Sequence, residues 1–394
     1  MLYLNGMNRI FLLCLLLAGW LSETSAQYAE HVMPGATQTA RYLPLLKNKR
    51  VAMMVNQTAT IDKTHLVDSL LKLHIRIQKI FSPEHGFRGL AGAGEKVGNS
   101  VDSATGIPIV SLYGQHRKAT AADLKDVDIL LFDIQDVGTR FFTYISSLQE
   151  LMESAAENKK TLVILDRPNP NGDYVDGPVL DTAFRSFIGM QPIPIVHGMT
   201  VGEYARMLNG EGWLKKGLKC DLKVIPCENY SHQIYYKLPV RPSPNLPNMA
   251  AVNLYPSICF FEGTALSLGR GTDKPFQVYG SPAFPKQSFT FTPRASTSNP
   301  SPVLKDQLCY GFDLSNAPET IPHKGRHIEL KWLLDAYRLF PDKEKFFTPF
   351  FSKLAGSKQL QQQITEGVSE ADIRKSWEPG LAKFKAIRGK YLLY

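Results

Sequence analysis

An α/β fold built on a doubly wound parallel sheet is what this sequence predicts, and three observations predict it. Short apolar runs alternate with stretches of helical spacing between residues 50 and 225. The clearest runs are apolar throughout rather than alternately polar, as strands covered on both faces are. The runs also stop alike, in carboxylates, amides, prolines and glycines, and that edge of an open parallel sheet is where such folds hold ligands.

The first 26 residues stand apart from this pattern. Arg9 precedes an apolar run over 10–18, and Thr24-Ser25-Ala26 offers a small-residue cleavage site, which together read as a secretory signal peptide over residues 1–26. The run is too short for a comfortable membrane span, and Cys14 lacks the preceding small residues of a lipoprotein anchor. The expectation is an exported protein, periplasmic or secreted, with no stable membrane insertion after cleavage. Cleavage removes one base (Arg9) and one acid (Glu23), so the formal net charge of +9 is unaltered. A basic exported protein suits an acidic partner such as a cell-wall polymer or an anionic membrane surface. Nucleic acid is the least supported partner, because no Lys/Arg block is interleaved with aromatics and no zinc-finger spacing occurs. Cys220, Cys227, Cys259 and Cys309 remain, too sparse for a disulfide framework and without the Cys-x-x-Cys spacing of a metal site.

Residues 51–55 form a short buried strand ending at Asn56-Gln57-Thr58, and Leu66, Leu70, Leu71 and Leu73 follow at roughly helical spacing. A strand over 75–81 gives way at once to Ser82-Pro83-Glu84-His85-Gly86-Phe87-Arg88-Gly89. The run at 107–113 is weaker because of Pro108. The clearest strand, 128–134, stops in Gln135-Asp136-Val137-Gly138. A helix is expected over 141–158, then a strand over 162–165 ending in Asp166-Arg167-Pro168-Asn169-Pro170. Thr200-x-x-Glu203, just after His197-Gly198-Met199, is a capping box opening a helix, and 222–225 is another strand. Pro242-Ser243-Pro244-Asn245-Leu246-Pro247 is rigid, non-helical chain. A domain boundary is expected just beyond it, between 248 and 255. Further on, an apolar run at 258–261 ends at Glu262-Gly263-Thr264, and Gly269-Arg270-Gly271-Thr272 follows. Residues 288–302, rich in Ser, Thr and Pro, read as an exposed loop, and helices are expected near 330–339 and 377–387. This last part is α+β.

Neighbouring strand ends in a parallel sheet converge on one edge, so Asn56, Glu84, His85, Asp133, Asp136, Asp166 and Arg167 gather there. Three chemistries fit so acidic an edge. One is glycoside hydrolysis, with a protonated carboxyl assisting the leaving group and a second carboxylate, or the substrate's acetamido group, supporting an oxocarbenium-like transition state. Another is metal-assisted hydrolysis by His85, His197 and the aspartates, which lacks spacing support because no His-x-x-x-His or His-Glu-x-x-His occurs. The third is a non-catalytic carbohydrate receptor that uses the same groups to hold hydroxyls. No Gly-x-Ser-x-Gly elbow supports a serine nucleophile. The glycines at 92 and 94 are too weak a pattern for a nucleotide, so no cofactor is expected.

These residues also carry a family resemblance. Ser82-Pro83-Glu84-His85-Gly86, Ser111-Leu112-Tyr113-Gly114, Phe132-Asp133-Ile134-Gln135-Asp136-Val137-Gly138, Leu165-Asp166-Arg167-Pro168-Asn169-Pro170, His197-Gly198-Met199-Thr200, Pro242-Ser243-Pro244-Asn245, Glu262-Gly263-Thr264 and Gly269-Arg270-Gly271-Thr272 run in this order from near residue 51 towards residue 394. The chain resembles the NamZ-type exo-β-N-acetylmuramidases over that whole span. The resemblance implies a Rossmann-like larger domain over 27–250, a smaller C-terminal domain over 251–394 and an active-site cleft between them. It also implies release of N-acetylmuramic acid from the non-reducing ends of peptidoglycan fragments and muropeptides, without a cofactor. Glu84 falls on the glutamate of the Pro-Glu-His-Gly motif and is the implied catalytic acid. Asp136, Glu262 and Glu203, in that order, are the candidates for a second group. Asp176 stands where some relatives carry a glutamate, which argues against essential acid chemistry there, since a carboxylate shortened by one methylene is misplaced.

A muramic acid residue carries a lactyl carboxylate that a guanidinium can hold bidentately. Arg88, Arg140, Arg167 and Arg270 all lie in motif loops and are candidates for that clamp. Asn56, His85, Asp133, Asp166, Asn169, His197, Asn245 and Thr272 complete the expected substrate-binding set. Phe142 and Tyr144 fit either an apolar wall against the sugar or, on helical spacing, the core.

Overall fold

The computed structural model describes residues 32–88, 98–297, 299–321 and 325–394. The expected signal peptide, Gly89 and residues 92–94 lie outside these. In chain order the strands of the first part are β1 (Arg50–Val55), the small hairpin β2 (Thr60–Ile61) and β3 (Thr64–His65), β4 (Arg76–Ser82), β5 (Ser100–Val101), β6 (Pro108–Ser111), β7 (Ile129–Asp133), β8 (Thr161–Leu165) and β9 (Asp221–Ile225). Seven of them form one sheet in the order β5-β6-β4-β1-β7-β8-β9. All pairings in it are parallel except that of β5, which lies antiparallel on β6. The strand order reverses between β1 and β7, as in doubly wound sheets.

The continuous apolar runs split by side-chain alternation into two cores. Ala52, Met54, Phe81, Leu130, Phe132, Leu162 and Ile164 face one way and pack under α3 (Tyr144–Glu157) and α4 (Val201–Gly210). Val51, Met53, Val55, Ile77, Ile80, Leu131, Val163 and Leu165 face the other way, under α1 (Thr39–Leu46) and α2 (Leu66–Lys72). Successive Cβ atoms point to opposite faces, so strands this apolar are stable only with helices on both sides. Each fully buried leucine in these layers, such as Leu148 or Leu130, contributes about 1.5–3 kcal/mol of transfer free energy.

The capping box at Thr200 forms as expected. The Glu203 backbone N–H donates to Thr200 Oγ1, and Glu203 Oε2 accepts from the Thr200 N–H at 2.9 Å. The helix expected from 141 starts only at Tyr144. Residues ahead of it pair elsewhere: Thr139 bridges Val196, and the Arg140 N–H donates to the Ile195 carbonyl at 2.7 Å.

Beyond residue 248 come α5 (Met249–Ile258) and a three-stranded antiparallel sheet, order β10-β12-β11, made of β10 (Val278–Ser281), β11 (Phe289–Phe291) and β12 (Cys309–Asp313). It is followed by α6 (Lys331–Leu339), α7 (Phe351–Ala355), α8 (Gln359–Thr365) and α9 (Glu370–Arg388). The apolar run at 258–261 ends α5 and enters a 3₁₀ turn, Cys259–Gly263, which carries Glu262. Part of the stretch read as a loop at 288–302 is strand, because the alternating Phe289-Thr290-Phe291 pairs with β12. All four described cysteines are buried free thiols. No helix among the described residues is long and apolar enough to cross a membrane.

Candidate active site

The tip of β4 is shaped by its backbone. His85 and Gly86 take left-handed φ angles of +67° and +76°, and the Gly86 N–H closes a turn on the Pro83 carbonyl at 3.0 Å. A histidine in that region carries a local strain of about 1–3 kcal/mol. The turn presents Glu84 to two hydroxyl donors from other elements. Tyr113, just past β6, donates to Oε1 at 2.8 Å, and Thr143, just before α3, donates to Oε2 at 2.7 Å. Burial and the adjacent Glu84 carboxylate push the Tyr113 phenol well above its ordinary range, so it keeps its proton.

Glu84 and His85 line a cavity of about 280 Å³ whose other polar wall is Glu262, Arg270 and Asn245. Phe142, Tyr144, Tyr255 and Phe276 contribute aromatic surface to it. Phe142 and Tyr144 are each buried in the core and also border the cavity. The 3₁₀ turn after α5 aims Glu262 at Arg270, whose Nε and Nη2 both donate to Oε1, at 3.0 and 2.5 Å. Arg270 stands between Gly269 and Gly271, at φ +84° and +83°. At both glycines an added Cβ would meet backbone carbonyl oxygen, Lys274 at 2.6 Å and Arg294 at 2.4 Å, so the loop requires glycine there. The guanidinium lies over the Phe276 ring, 4.9 Å from its centroid. Its Nη1 is buried and makes no hydrogen bond among the described residues, and the same holds for Asn245 Nδ2. Both are donors on the cavity wall that an acceptor entering the cavity can meet.

The remaining expected residues do not line this cavity. Asp133 and Arg167 form a buried two-point ion pair, Nε to Oδ1 at 2.5 Å and Nη2 to Oδ2 at 2.8 Å, and Arg167 also donates to the Thr60 carbonyl. Asp166 accepts from Thr200 Oγ1 (2.6 Å), the Gly202 N–H (2.8 Å) and the Tyr394 hydroxyl (2.8 Å), and burial pushes its carboxyl up to about 6. Asp136 accepts from the Gly138 N–H at 2.6 Å and leaves Oδ1 without a partner among the described residues; burial pushes it up to about 7. Asn56 holds Thr58, Asn169 holds the Met199 carbonyl, and Thr272 closes the loop onto the Gly269 carbonyl. His197 accepts from the Met199 N–H, and burial pushes it down to about 3, so it is neutral. Glu203 is spent on its capping box, on His232 at 3.0 Å and on the Leu393 N–H at 2.8 Å.

Of the four arginines considered for a carboxylate clamp, only Arg270 borders the cavity. Arg140 is fully buried and donates to the carbonyls of Pro178, Ile193 and Leu354 at 2.7–2.8 Å. Arg167 is held by Asp133. Arg88 is held by both oxygens of Asp102 and lies over the Phe87 ring. Sequence reasoning missed Thr143, Tyr255 and Phe276, and it passed over Tyr113 as a site residue. Tyr113 had a signal, because it follows a strand at the same sheet edge. Among the described residues no group of three His, Cys, Asp or Glu side chains is arranged to hold a metal ion.

A parallel-sheet edge bearing one oriented carboxylate, opposite a second carboxylate across an aromatic-walled pocket with open donors, defines a saccharide-site class of α/β protein. Comparison with known proteins specifies it. The family model of the exo-β-N-acetylmuramidase NamZ N-terminal region matches residues 51–250, and that of the NamZ C-terminal region matches residues 253–394. The chain therefore belongs to the NamZ family. It is 38% identical, over 90% of its length and 89% of the relative's, to the peptidoglycan β-N-acetylmuramidase NamZ of Bacillus subtilis. Two crystal structures of DUF1343-family proteins from Bacteroides fragilis have the same fold. One is 49% identical, with a TM-score of 0.86 over 93% of this chain and 99% of that one. The other is 27% identical, with a TM-score of 0.77 over 92% and 99%.

Proposed function

We propose that this chain is an exo-acting glycoside hydrolase that releases N-acetylmuramic acid from the non-reducing ends of peptidoglycan fragments, with Glu84 as the general acid. The observation that carries the reading is that Glu84, fixed by two hydroxyls, shares one small cavity with a half-buried arginine whose buried Nη1 is open. The arginine suits the lactyl carboxylate and the aromatic wall suits the sugar face. The activity named for the Bacillus subtilis relative supports the same reaction.

Protonated Glu84 gives its proton to the glycosidic oxygen as the bond from that oxygen to the anomeric carbon breaks. Positive charge then develops on the anomeric carbon and ring oxygen, and water adds to that carbon while losing its proton. Glu262 is the carboxylate in the same cavity and fits the second role better than Asp136, which points into buried framework. The substrate's acetamido oxygen is the other group able to support that charge. The reading places the active site between residues 27–250 and 251–394, since Glu84 comes from the first part and Glu262 and Arg270 from the second. Export follows from the leader-like residues 1–26, and the net charge of +9 suits an anionic wall polymer.

The test is incubation with a chromogenic β-N-acetylmuraminide beside the matching β-N-acetylglucosaminide. Release is expected from the muraminide only, and Glu84→Gln should slow it about 100- to 10,000-fold with the fold intact. Near-normal turnover by the variant would remove Glu84 from its role. Binding of the saccharide with no release by the unaltered protein would place the chain among muropeptide-binding proteins instead.

A further inference from the structure

Beside the cavity that holds Glu84 lies a second and larger one, of about 430 Å³. The two share a wall formed by Arg117 and Phe187. Phe187 sits in a tight turn whose ends, Ser186 and Gly189, exchange both backbone hydrogen bonds at 3.0 Å. The Arg117 guanidinium lies 4.4 Å from the Phe187 ring centroid, and its Nε donates to the Gly114 carbonyl at 2.8 Å. Gly114 directly follows Tyr113, the residue that holds Glu84. A chain extending from the Glu84 carboxylate past this stacked pair reaches the second cavity.

The chemistry of the second cavity is that of a saccharide subsite with a basic rim. Phe187, Met190 and Trp213 supply apolar surface of the kind a sugar ring's C–H face needs. Its buried acid is already used: Glu153 accepts from Lys118 Nζ at 3.2 Å and from the Lys215 N–H at 3.1 Å, and Lys118 also reaches Glu157 at 2.8 Å. Glu150, the other acid there, is pushed towards its neutral form by burial and by Glu153, against the opposing pull of Lys118, Arg117 and Lys215. Two cations at the exposed rim remain. The Arg185 guanidinium has one long contact, 3.4 Å to Gln191, and the Lys215 ammonium has no ion-pair partner among the described residues. Cations placed this way attract a carboxylate.

We propose that this second cavity holds the saccharide on the leaving side of the bond to be cut, with a carboxylate of that strand on Arg185 and Lys215. The inference rests on the muramidase reading and extends it to the strand that departs. The carboxylate has two chemical sources, the lactyl group of the next muramic acid or a peptide attached to it, and the rim cations recognise either in the same way.

The experiment compares kcat/KM on four substrates: the chromogenic muraminide, the muramyl-glucosaminyl disaccharide, the alternating tetrasaccharide, and that tetrasaccharide bearing peptide. The variants are the double change Arg185→Gln with Lys215→Gln, and Trp213→Ala. The double variant should lose about tenfold on the longer chains and nothing on the chromogenic muraminide. Trp213→Ala should weaken the disaccharide as well. Loss on the peptide-free tetrasaccharide assigns the carboxylate to the lactyl group, whereas loss confined to the peptide-bearing chain assigns it to the peptide. Equal loss on every substrate, or no loss on either longer chain, overturns the proposal while leaving the muramidase reading in place. Failure of the unaltered protein to cut the muraminide overturns both.

Discussion

Two stretches of the same sheet edge end in carboxylates and put them to different uses. At the strand reversal, where β1, β7 and β8 end, Asp133 and Asp166 are closed in by the chain's own groups. Arg167 pairs with Asp133 and reaches over to the β2–β3 hairpin at Thr60, while Thr200, Gly202 and Tyr394 surround Asp166. Doubly wound folds commonly bind ligands at such a reversal, but here the crevice is filled by protein. On the adjoining strands, where β4 and β6 end, Glu84 is held by hydroxyls that aim it into an open cavity. A carboxylate at a strand end is thus a site residue or a structural one according to what faces it, and strand position alone does not decide.

Substitutions that exchange the two behaviours test this contrast. The largest effect belongs to Glu84→Gln, whose loss of turnover by about 100- to 10,000-fold should come with an unchanged denaturation midpoint. Asp133→Ala should do the reverse. It strands the buried Arg167 charge and should cost about 3–5 kcal/mol of stability, measured by urea unfolding. Tyr113→Phe lies between the two regions in kind, since it keeps the ring and removes one donor to Glu84. A loss in kcat of about tenfold, with KM and stability little changed, is expected for the missing hydrogen bond, and a fall in stability alone would make Tyr113 a packing residue.

The last test concerns pH. Burial raises the folded-state carboxyl of Asp136 from 3.8 to about 7. The stability linked to this group is therefore fully present below its unfolded pKa and is lost as pH rises through the folded one. Asp136→Asn, which can still accept from the Gly138 N–H, should flatten the fall in unfolding free energy between about pH 4 and pH 7. Identical slopes in the variant and the unaltered protein would exclude Asp136 as the source.

The sheet was legible because period-2 burial on both faces leaves an unbroken apolar run, as in residues 51–55 and 129–132. The Glu84 turn was legible because Pro, Gly and charged residues cannot continue such a strand. Which carboxylates would be closed in was not legible. The groups that occupy Asp166 come from positions 200, 202 and 394, and the one on Asp133 reaches on to residue 60, so the information is tertiary. Thr143 was hidden for a related reason, since a single hydroxyl before a helix signals a cap and not a contact with Glu84. Arg140 misled because an arginine in a motif loop suggests an anion, whereas the Nη1 and Nη2 of this one are held by three carbonyls.

That arrangement of Arg140 bears on how a sugar is received. Two of its carbonyl partners, Pro178 and Ile193, belong to the part of the chain that carries Glu84, and the third, Leu354, belongs to the part that carries Glu262 and Arg270. A buried guanidinium shared in this way acts as a rivet, because moving the parts by even one bond length would strip a charged donor of its acceptors. The walls of the pocket are consequently set during folding, and the ordering entropy that a hinged clamp gives up on each encounter is not charged against ligand affinity.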